Sequence, residues 1–416
     1  MVFRIVPLLL LLSISPLPGQ EATLLLKSFP PEARLFRGSE LLEPESQQVG
    51  EDGGLWRSYS LSGGYQVLSL RAPGYQEKRF HLRPRGAVRI DEKLERGEGT
   101  LRLLGEYATG RQPKGVAFAP DGETMVVTNL DGPGVDLFGT DPLTRLGRLE
   151  IPDSPGRGYV EALYLPGRGE LLVSQMSEER IHLFALPEYR HIGTIPSGGG
   201  WPKVMVADSR EARAYVSNWL DRSIGVIDLS RRELIRRIDV PGIPRGMAVS
   251  PDDRTLYVAL FDRGDLLELS LEAGEERSRL IEVGDGALRH LLLSRDGGRL
   301  YISDMYHGEI LVYDTDLREV IARRKLGYNL NTIALTPGEE YLVVSERGRN
   351  SPGGYMTEGP HFGRLMLCDP QTLEVVSWVW GRNQPTGLAV SPDGTLVAFT
   401  DFLDDNLEVY RLTPRD

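Results

Sequence analysis

The chain has 416 residues, of which 40% are hydrophobic and 26% charged, and its formal net charge is −11. This length exceeds what one ordinary core accommodates, so we expect two domains or one large repeat architecture. The acidic balance excludes bulk attraction to nucleic acid or anionic lipid. The single cysteine, Cys368, excludes intramolecular disulfides and thiolate zinc sites.

The first 20 residues have the pattern of a secretory signal peptide. Arg4 provides the positive charge, residues 5–14 are apolar, and Pro16 interrupts the run. The run is too short for a mature membrane-spanning helix. An uncleaved anchor is the alternative. We expect cleavage near Gly19 or Gln20 and export to the periplasm, the cell surface or the extracellular space.

Residues 21–98 contain no repeat and predict a small β-sandwich. The runs at 24–27 and 88–90 are typical of strands, and 64–75 indicates a strand followed by a turn. Together these segments resemble the PEGA domain, a small β-sandwich of bacterial envelope proteins. The resemblance implies attachment or spacing rather than chemistry.

Residues 99–416 contain seven copies of one unit. Each copy has an apolar strand, a Pro-Asp-Gly turn or a relative of it, and a second strand of β-branched or aromatic residues; two further strands follow. The clearest turns are Pro120–Gly122, Pro251–Asp253 and Pro392–Gly394. Copies start 42 to 47 residues apart, with a step of 55 before the last. The sequence therefore predicts an all-β protein in which a seven-bladed β-propeller follows the small sandwich.

The last copy has three strands before the chain ends. Residues 100–109, just before the first copy, have the pattern of a fourth strand. We expect this segment to complete the last blade, because closure removes exposed sheet edges.

The repeat resembles the YVTN-type propeller family, which includes YncE-like proteins. Val126–Asn129, Tyr215–Asn218 and Leu300–Asp304 carry the resemblance, together with the Ser/Ala-Pro-Asp turns. Trp-Asp dipeptides at strand ends, typical of WD repeats, are absent from the sequence. Members of the family are often exported or surface proteins, and the fold also carries lactonases and quinoprotein dehydrogenases.

Propeller ligands usually bind at the funnel where the innermost strands begin. The residues expected there, one before each first strand, are Lys114, Glu161, Lys203, Arg245, Arg289, Asn331 and Thr386. Four are cationic and one is anionic, so the sequence predicts a funnel that gathers anions. Its arginines would grip a carboxylate or phosphate bidentately. The alternative is that these are solvated turn residues.

A second ring is expected where the second strands end. Its members are Asn129, Gln175, Asn218, Leu260, Asp304, Glu346 and Asp401. Capping of turns explains each polar member singly. The aromatic residues that follow two of them, Trp219 and Phe402, are predicted ligand contacts, because large aromatic side chains are costly to expose in short loops.

The sixth copy contains a long insertion rich in Gly and Pro, between Ser345 and Leu365. Long loops in compact folds are usually functional or disordered. We predict a lid over the funnel; a passive insertion is the alternative. The lid residues are Arg347, Arg349, Tyr355 and His361.

Catalytic signatures are sparse: Gly-x-Ser-x-Gly is absent and the six histidines lack metal-ligand spacing. The rival hypothesis is a calcium-assisted, lactonase-like hydrolase that uses Glu161, Asn218, Asp304 and Asp401, although the funnel cations would repel a metal ion. We favour a monomeric binding or scaffold protein of the cell envelope without a cofactor. Its expected partner is a small anionic ligand or an unidentified envelope protein.

Overall fold

The computed structural model describes residues 22–38, 40–50, 53–72, 75–94, 99–154, 156–272, 277–359 and 362–413. The predicted signal peptide lies outside these residues. The described chain consists of β-strands and two short 3₁₀ helices, Pro166–Arg168 and Met176–Glu178. It divides into two compact units, Met1–Gly99 and Thr100–Asp416. No helix in the described ranges is both long and apolar enough to cross a membrane.

The first unit contains two four-stranded sheets around one core. Its strands are β1 (Ala22–Phe29), β2 (Arg34–Arg37), β3 (Glu40–Leu42), β4 (Ser46–Val49), β5 (Leu55–Leu61), β6 (Gln66–Arg71), β7 (Lys78–Leu82) and β8 (Ala87–Lys93). The sheet orders are β4-β5-β1-β8 and β3-β2-β6-β7. Side chains along β1 alternate in burial because one face of the strand packs on the core, where Leu24 and Leu26 meet Leu35 and Leu68 of the other sheet.

The second unit begins with β9 (Leu101–Ala108) and continues through 27 further strands in the described chain. These are β10 (Arg111–Phe118), β11 (Thr124–Gly132), β12 (Val135–Thr140), β13 (Leu143–Arg148), β14 (Tyr159–Leu165), β15 (Glu170–Gln175), β16 (Arg180–Ala185), β17 (Arg190–Pro196), β18 (Pro202–Ala207), β19 (Arg213–Asn218), β20 (Ser223–Asp228), β21 (Glu233–Asp239), β22 (Pro244–Val249), β23 (Thr255–Leu260), β24 (Asp265–Ser270), β25 (Ser278–Ile281), β26 (Leu288–Leu293), β27 (Arg299–Asp304), β28 (Glu309–Asp314), β29 (Glu319–Lys325), β30 (Leu330–Leu335), β31 (Leu342–Glu346), β32 (Arg364–Cys368), β33 (Val375–Trp380), β34 (Pro385–Val390), β35 (Leu396–Asp401) and β36 (Asn406–Leu412).

Within its described residues, this unit forms seven four-stranded sheets, here called blades in chain order. The first six blades are β10–β13, β14–β17, β18–β21, β22–β25, β26–β29 and β30–β33, and the seventh has the order β34-β35-β36-β9. The first strands contact one another in sequence from β10 to β34, and β34 contacts β10. In the seventh blade β9 pairs antiparallel with β36, so the start and the end of the unit share one sheet.

Apolar faces of neighbouring blades pack together and form the core of this unit. Tyr215 and Val226 of the third blade, for example, pack with Met247 and Val258 of the fourth. Second and third strands are buried on both faces, which explains their almost continuous apolar sequences, and first strands are buried or half-buried, as in β18. The fourth strands alternate or are exposed, as β29 shows.

A hydroxyl group in the second strand ties most blades to the next. The Oγ of Ser217 donates a hydrogen bond to Arg245 O at 3.2 Å, and the Oγ of Ser303 donates one to Asn331 O at 2.7 Å. Thr128, Ser174, Ser345 and Thr400 make equivalent bonds to the first strand of the following blade. In the fourth blade the equivalent position is Ala259. These bonds hold the backbone of four predicted funnel residues, Lys203, Arg245, Asn331 and Thr386.

Candidate anion-binding site

The predicted funnel residues share one position in their strands, with one exception. Pro202 pairs with Asn218, and Lys203 follows it; the same register places Arg245, Arg289, Asn331, Thr386 and Lys114. In the second blade Tyr159 pairs with Gln175, so the equivalent residue is Val160, and Glu161 lies one position further. The funnel position was expected at a fixed number of residues before the turn that follows the first strand. β14 has seven residues from Tyr159 to its end, whereas β18 has six from Pro202 to its end, so this count is wrong by one residue in the second blade.

Five cations interact in this region: Lys114, Lys203, Arg245, Arg289 and Arg347, here called the cationic cluster. Burial and the positive charges of the other four members hold the pKa of Lys114 well below its usual value. Burial, Arg245 and Arg289 lower the pKa of Lys203 to about 7. Burial and neighbouring arginines also depress the pKa of Arg289. The predicted concentration of positive charge is therefore present in the structure.

Glu161 is the carboxylate that forms an ion pair with the cluster. Its Oε1 lies 3.7 Å from Nη2 of Arg245, and its charge raises the pKa of Lys203 against the larger effects of burial and the arginines. In the part of the chain that the structure describes it is the one carboxylate paired with the cluster, and it cannot neutralise three guanidinium groups, so the cluster keeps a positive excess.

Several buried polar atoms of this region have no hydrogen-bond partner among the described residues. They are Nη1 of Arg245, Nη1 of Arg289, Nε of Arg347 and both amide atoms of Asn331. Arg245 is 3% exposed, Arg289 5% and Asn331 0%. Leaving such groups unpaired costs folding free energy, about 1–3 kcal/mol for each neutral group and more for charged ones. Buried donors without partners are what a site for an anion requires.

Aromatic rings border the cations. The Nζ of Lys114 lies 4.6 Å from the ring centroid of Phe402, and the Nζ of Lys203 lies 5.9 Å from that of Trp219. Both aromatic residues expected near the funnel are thus beside its lysines, although Phe402 is fully buried. The Nζ of Lys203 also lies 5.3 Å from the ring of Trp201, a residue that the sequence analysis missed. The signal was its unusual setting, three glycines before it and Pro202 after it.

The two arginines at the start of the insertion in the sixth blade, Arg347 and Arg349, lie in different places. Arg347 is buried in the cationic cluster and lies over the rings of Tyr355 and Phe402, at 5.5 and 5.8 Å. Arg347 also donates to Gln384, whose Nε2 donates to Tyr355 O at 2.5 Å.

Arg349 lies elsewhere. It stacks on Tyr328 at 4.3 Å and lines a separate cleft of about 250 Å³ with Phe362 and Trp380. The predicted lid residue His361 lies outside the described residues. Of the four predicted lid residues, the structure therefore brings Arg347 and Tyr355 to the funnel and directs Arg349 away from it.

The family of the chain follows from its similarity to known proteins. No protein-family model matches the chain. Antigen Lp49 of Leptospira interrogans serogroup Icterohaemorrhagiae serovar copenhageni is 33% identical over 355 residues, which cover 83% of this chain and 77% of the relative. The chain belongs to the antigen Lp49 family.

More distant likenesses agree with this assignment. The YncE protein of Salmonella typhimurium is 25% identical over 198 residues, covering 46% of this chain and 52% of the relative. The 6-phosphogluconolactonase of Serratia proteamaculans is 25% identical over 313 residues, covering 66% and 89%. Hydrazine synthase of Kuenenia stuttgartiensis matches in structure with a TM-score of 0.62 at 20% identity, covering 74% of this chain and 97% of that one. The predicted YncE-like β-propeller is confirmed.

In this member of the Lp49 family the ring of polar residues at the second-strand ends holds loops. Oδ1 of Asp304 accepts hydrogen bonds from the backbone N–H groups of Ala287 at 3.0 Å and Tyr306 at 2.9 Å, while its Oδ2 lies 2.6 Å from Nδ1 of His307. Oδ1 of Asp401 accepts from Arg382 N at 2.9 Å. These contacts fit the interpretation that the ring caps turns.

The four residues of the alternative calcium site have separate partners. Asn218 donates to Ser197 O at 3.0 Å and Glu161 faces Arg245. Asp304 contacts His307 in the loop that follows it, and Asp401 accepts from Arg382 N in the loop before β34. Among the residues that the structure describes, no group of three or more His, Cys, Asp or Glu side chains is arranged to hold a metal ion.

Proposed function

We propose that this chain is a surface-exposed or secreted, seven-bladed β-propeller protein that binds a small anionic ligand in the funnel of its second unit. The cationic cluster carries the proposal, because five basic side chains, three of them arginines, occupy a single buried region with one ion-paired carboxylate among the described residues. The relative named as an antigen supports exposure at the cell surface.

Electrostatics explains why such a cluster implies a ligand. Burying charges and bringing like charges together inside a protein both cost free energy, and the lowered pKa of Lys114 and of Lys203 reflects burial first and repulsion second. An anion bound among these side chains would offset the repulsion and supply acceptors to the unpaired donors of Arg245 and Arg289. The folded structure thus carries a cost that binding relieves.

The first unit fits a supporting role in this proposal. Its two four-stranded sheets around one core are compatible with a PEGA-like sandwich that attaches the propeller or sets its spacing. Export through a cleaved signal peptide completes the proposal and places the funnel in the periplasm or outside the cell.

Thermal unfolding in the presence of anions tests the binding function. Citrate and inorganic phosphate should raise the melting temperature of the full chain, whereas glucose should not, because a ligand stabilises only the state that binds it. The effect should weaken at high salt, where charges are screened. It should shrink in the Lys203→Ala/Arg245→Ala variant and persist in an Arg231→Ala/Lys325→Ala variant, which removes two exposed cations of the same unit. No anion dependence across a broad panel would overturn the proposal.

A second candidate function is lactone hydrolysis, which the likeness to 6-phosphogluconolactonase favours. It would use Glu161, Asn218, Asp304 and Asp401 with calcium, although the separate partners of these side chains provide no preformed site. Measuring lactone hydrolysis with and without calcium separates the candidates. Turnover that requires calcium and is lost in Asp304→Asn would support the enzyme, and the absence of turnover would leave the binding function.

A further inference from the structure

We infer that the ligand of the funnel is a phosphorylated sugar, with its phosphate against Arg245, Arg289 and Asn331 and its sugar ring against Trp201. The inference rests on the proposed anion-binding function and adds the chemical class of the ligand. Three features of the site support it: the number and arrangement of its donors, the position of its carboxylate, and the conformation of Trp201.

The donor arrangement matches a tetrahedral dianion. Arg245 and Arg289 occupy equivalent positions on the adjacent strands β22 and β26, and each has an Nη1 without a partner among the described residues. Asn331, at the equivalent position of β30, adds an unpaired and fully buried amide. A phosphate monoester carries three terminal acceptor oxygens and about two negative charges, so it can serve several donors at once. A single carboxylate has two oxygens and one charge, and one guanidinium fork satisfies it.

Trp201 has the features of a ligand-contacting ring. Its backbone has a φ of 58°, a left-handed conformation that is unfavourable for a bulky residue, and its side chain is 41% exposed. Trp201 directly precedes Pro202, which pairs with the end of the second strand. The residues that hold this place in the first, sixth and seventh blades share the backbone conformation but are polar: Gln112, Asn329 and Gln384. The side chains of Asn329 and Gln384 bind the loop of the sixth blade. Trp201 has an exposed aromatic face in their place.

Lys203 lies near two tryptophan rings and interacts with two arginines of the cationic cluster. Its Nζ lies 5.3 Å from the Trp201 ring and 5.9 Å from the Trp219 ring, and burial together with the charges of Arg245 and Arg289 depresses its pKa. One small molecule can therefore reach both the aromatic face and the arginines. The apolar C–H face of a sugar packs on such a ring and removes its exposed apolar surface from water.

Glu161 completes the match. Its carboxylate is partly exposed and lies in the same group of charges, 3.7 Å from Arg245. A carboxylate would repel a purely anionic ligand, whereas it accepts hydrogen bonds from the hydroxyl groups of a sugar. The site therefore suits a molecule that is anionic at one end and hydroxylated at the other.

Isothermal titration calorimetry on the full chain tests this class of ligand. The probes are glucose 6-phosphate, ribose 5-phosphate, inorganic phosphate, citrate and glucose, all at low ionic strength. We expect at least one sugar phosphate to bind about tenfold more tightly than inorganic phosphate, which is a typical contribution of one buried aromatic contact. Glucose should give no detectable heat.

Variants assign the two halves of the ligand. Trp201→Ala should remove the advantage of the sugar phosphate and leave the affinity for inorganic phosphate unchanged, whereas Trp201→Phe should restore part of it. Arg289→Ala should weaken both. Trp378→Ala, which removes a similarly exposed tryptophan from β33, is the control and should change neither affinity.

The outcomes separate this inference from the function on which it rests. If citrate binds more tightly than every phosphate, or if Trp201→Ala leaves the sugar phosphates unaffected, the phosphorylated-sugar assignment is wrong and anion binding stands. If no anion binds, the proposed function fails and the inference fails with it.

Discussion

Two sets of buried polar side chains lie near one another in the propeller and differ in how they are paired. Both carboxylate oxygens of the strand-end residue Asp304 have partners, the backbone N–H of Ala287 and the ring of His307, while Arg289 and Asn331 of the neighbouring first strands have atoms without partners among the described residues. Native proteins pair most of their buried polar groups, so paired carboxylates fit a structural role and unpaired cations fit the proposed ligand site. The sequence shows polar residues in both sets. Hydrogen bonding distinguishes the ring carboxylates Asp304, Glu346 and Asp401 from the cationic cluster, whereas Oδ1 of Asn129 and Oδ1 of Asn218 in the same ring also have no partner among the described residues.

The largest change in the free energy of unfolding is expected at Asp304, in the ring at the second-strand ends. Asp304→Ala would leave the N–H groups of Ala287 and Tyr306 without their acceptor and should lower the free energy of unfolding by about 2–3 kcal/mol. Anion binding by the folded fraction should be unchanged. Urea unfolding measures the stability, with Asp304→Asn as the volume-matched control. Unchanged stability combined with lost anion binding would reverse the roles of the two sets.

Replacing Arg289, whose Nη1 has no partner among the described residues, should raise the free energy of unfolding rather than lower it. Arg289→Met keeps the volume and removes a buried charge, so the ligand-free protein should gain about 1–2 kcal/mol while losing anion binding. The matched control is Arg364→Met, because Arg364 pairs with Glu346 and donates to Leu326 O at 3.1 Å. That variant should lose stability. A similar loss in Arg289→Met would show that Arg289 is structural.

Anion affinity should depend on pH through Lys203. Its pKa of about 7 in the free protein means that it loses its proton as pH rises through 7, and a bound anion favours the charged form. Binding should therefore take up a proton and weaken from pH 6 to pH 8. Sulfate is the appropriate probe because its charge is constant over this range. Calorimetry in buffers of different ionisation enthalpy measures the uptake. Lys203→Arg should remove the part of the pH dependence that Lys203 contributes and leave the part from Lys114, whose pKa burial and the cluster also lower.

The same lowered pKa has a consequence for stability. Between about pH 7 and the ordinary value near 10.5, the unfolded chain binds this proton and the folded chain does not. The contribution of Lys203 to stability therefore rises with pH across this window and falls as the solution is acidified toward pH 7. Denaturant unfolding of Lys203→Met should lack that component; an unchanged pH profile would show that the lysine is solvated.

The smallest change in stability is expected from the hydroxyl groups that link neighbouring blades. Ser303→Ala removes the donor to Asn331 O and should cost about 1 kcal/mol, whereas Ala259→Ser adds a hydroxyl at the equivalent position of the fourth blade and should stabilise by about 0.5 kcal/mol. Urea midpoints of the two variants provide the measurement. Equal shifts in the same direction would exclude an inter-blade role for these hydroxyl groups.

Much of the fold could be predicted from local signals. Pro-Asp-Gly turns and apolar first strands recur at a nearly constant period because each blade must bury two faces against its neighbours. The register of the second blade could not be obtained this way. Its first turn is a 3₁₀ helix at Pro166–Arg168 without the Pro-Asp-Gly pattern, and its first strand is one residue longer, so Glu161 was placed where Val160 lies.

The site was predictable where position in the repeat decides it. Lys114, Lys203, Arg245 and Arg289 could be found by counting, because blades repeat one geometry. Trp201 could not, because its importance comes from a backbone conformation and an exposure that no spacing rule reports. Arg347 was assigned to a mobile lid, yet it lies buried over Phe402, since the strand that ends at Glu346 directs it into the funnel.

The decisive test of anion binding in the funnel is calorimetric titration of the full chain with inorganic phosphate, in parallel with an Arg245→Met/Arg289→Met variant. We expect one binding site per chain, an affinity that falls with added sodium chloride, and no binding in the variant, which should nevertheless be folded. Undetectable binding of phosphate and other anions by the parent chain would contradict the account, as would binding that persists unchanged in the variant.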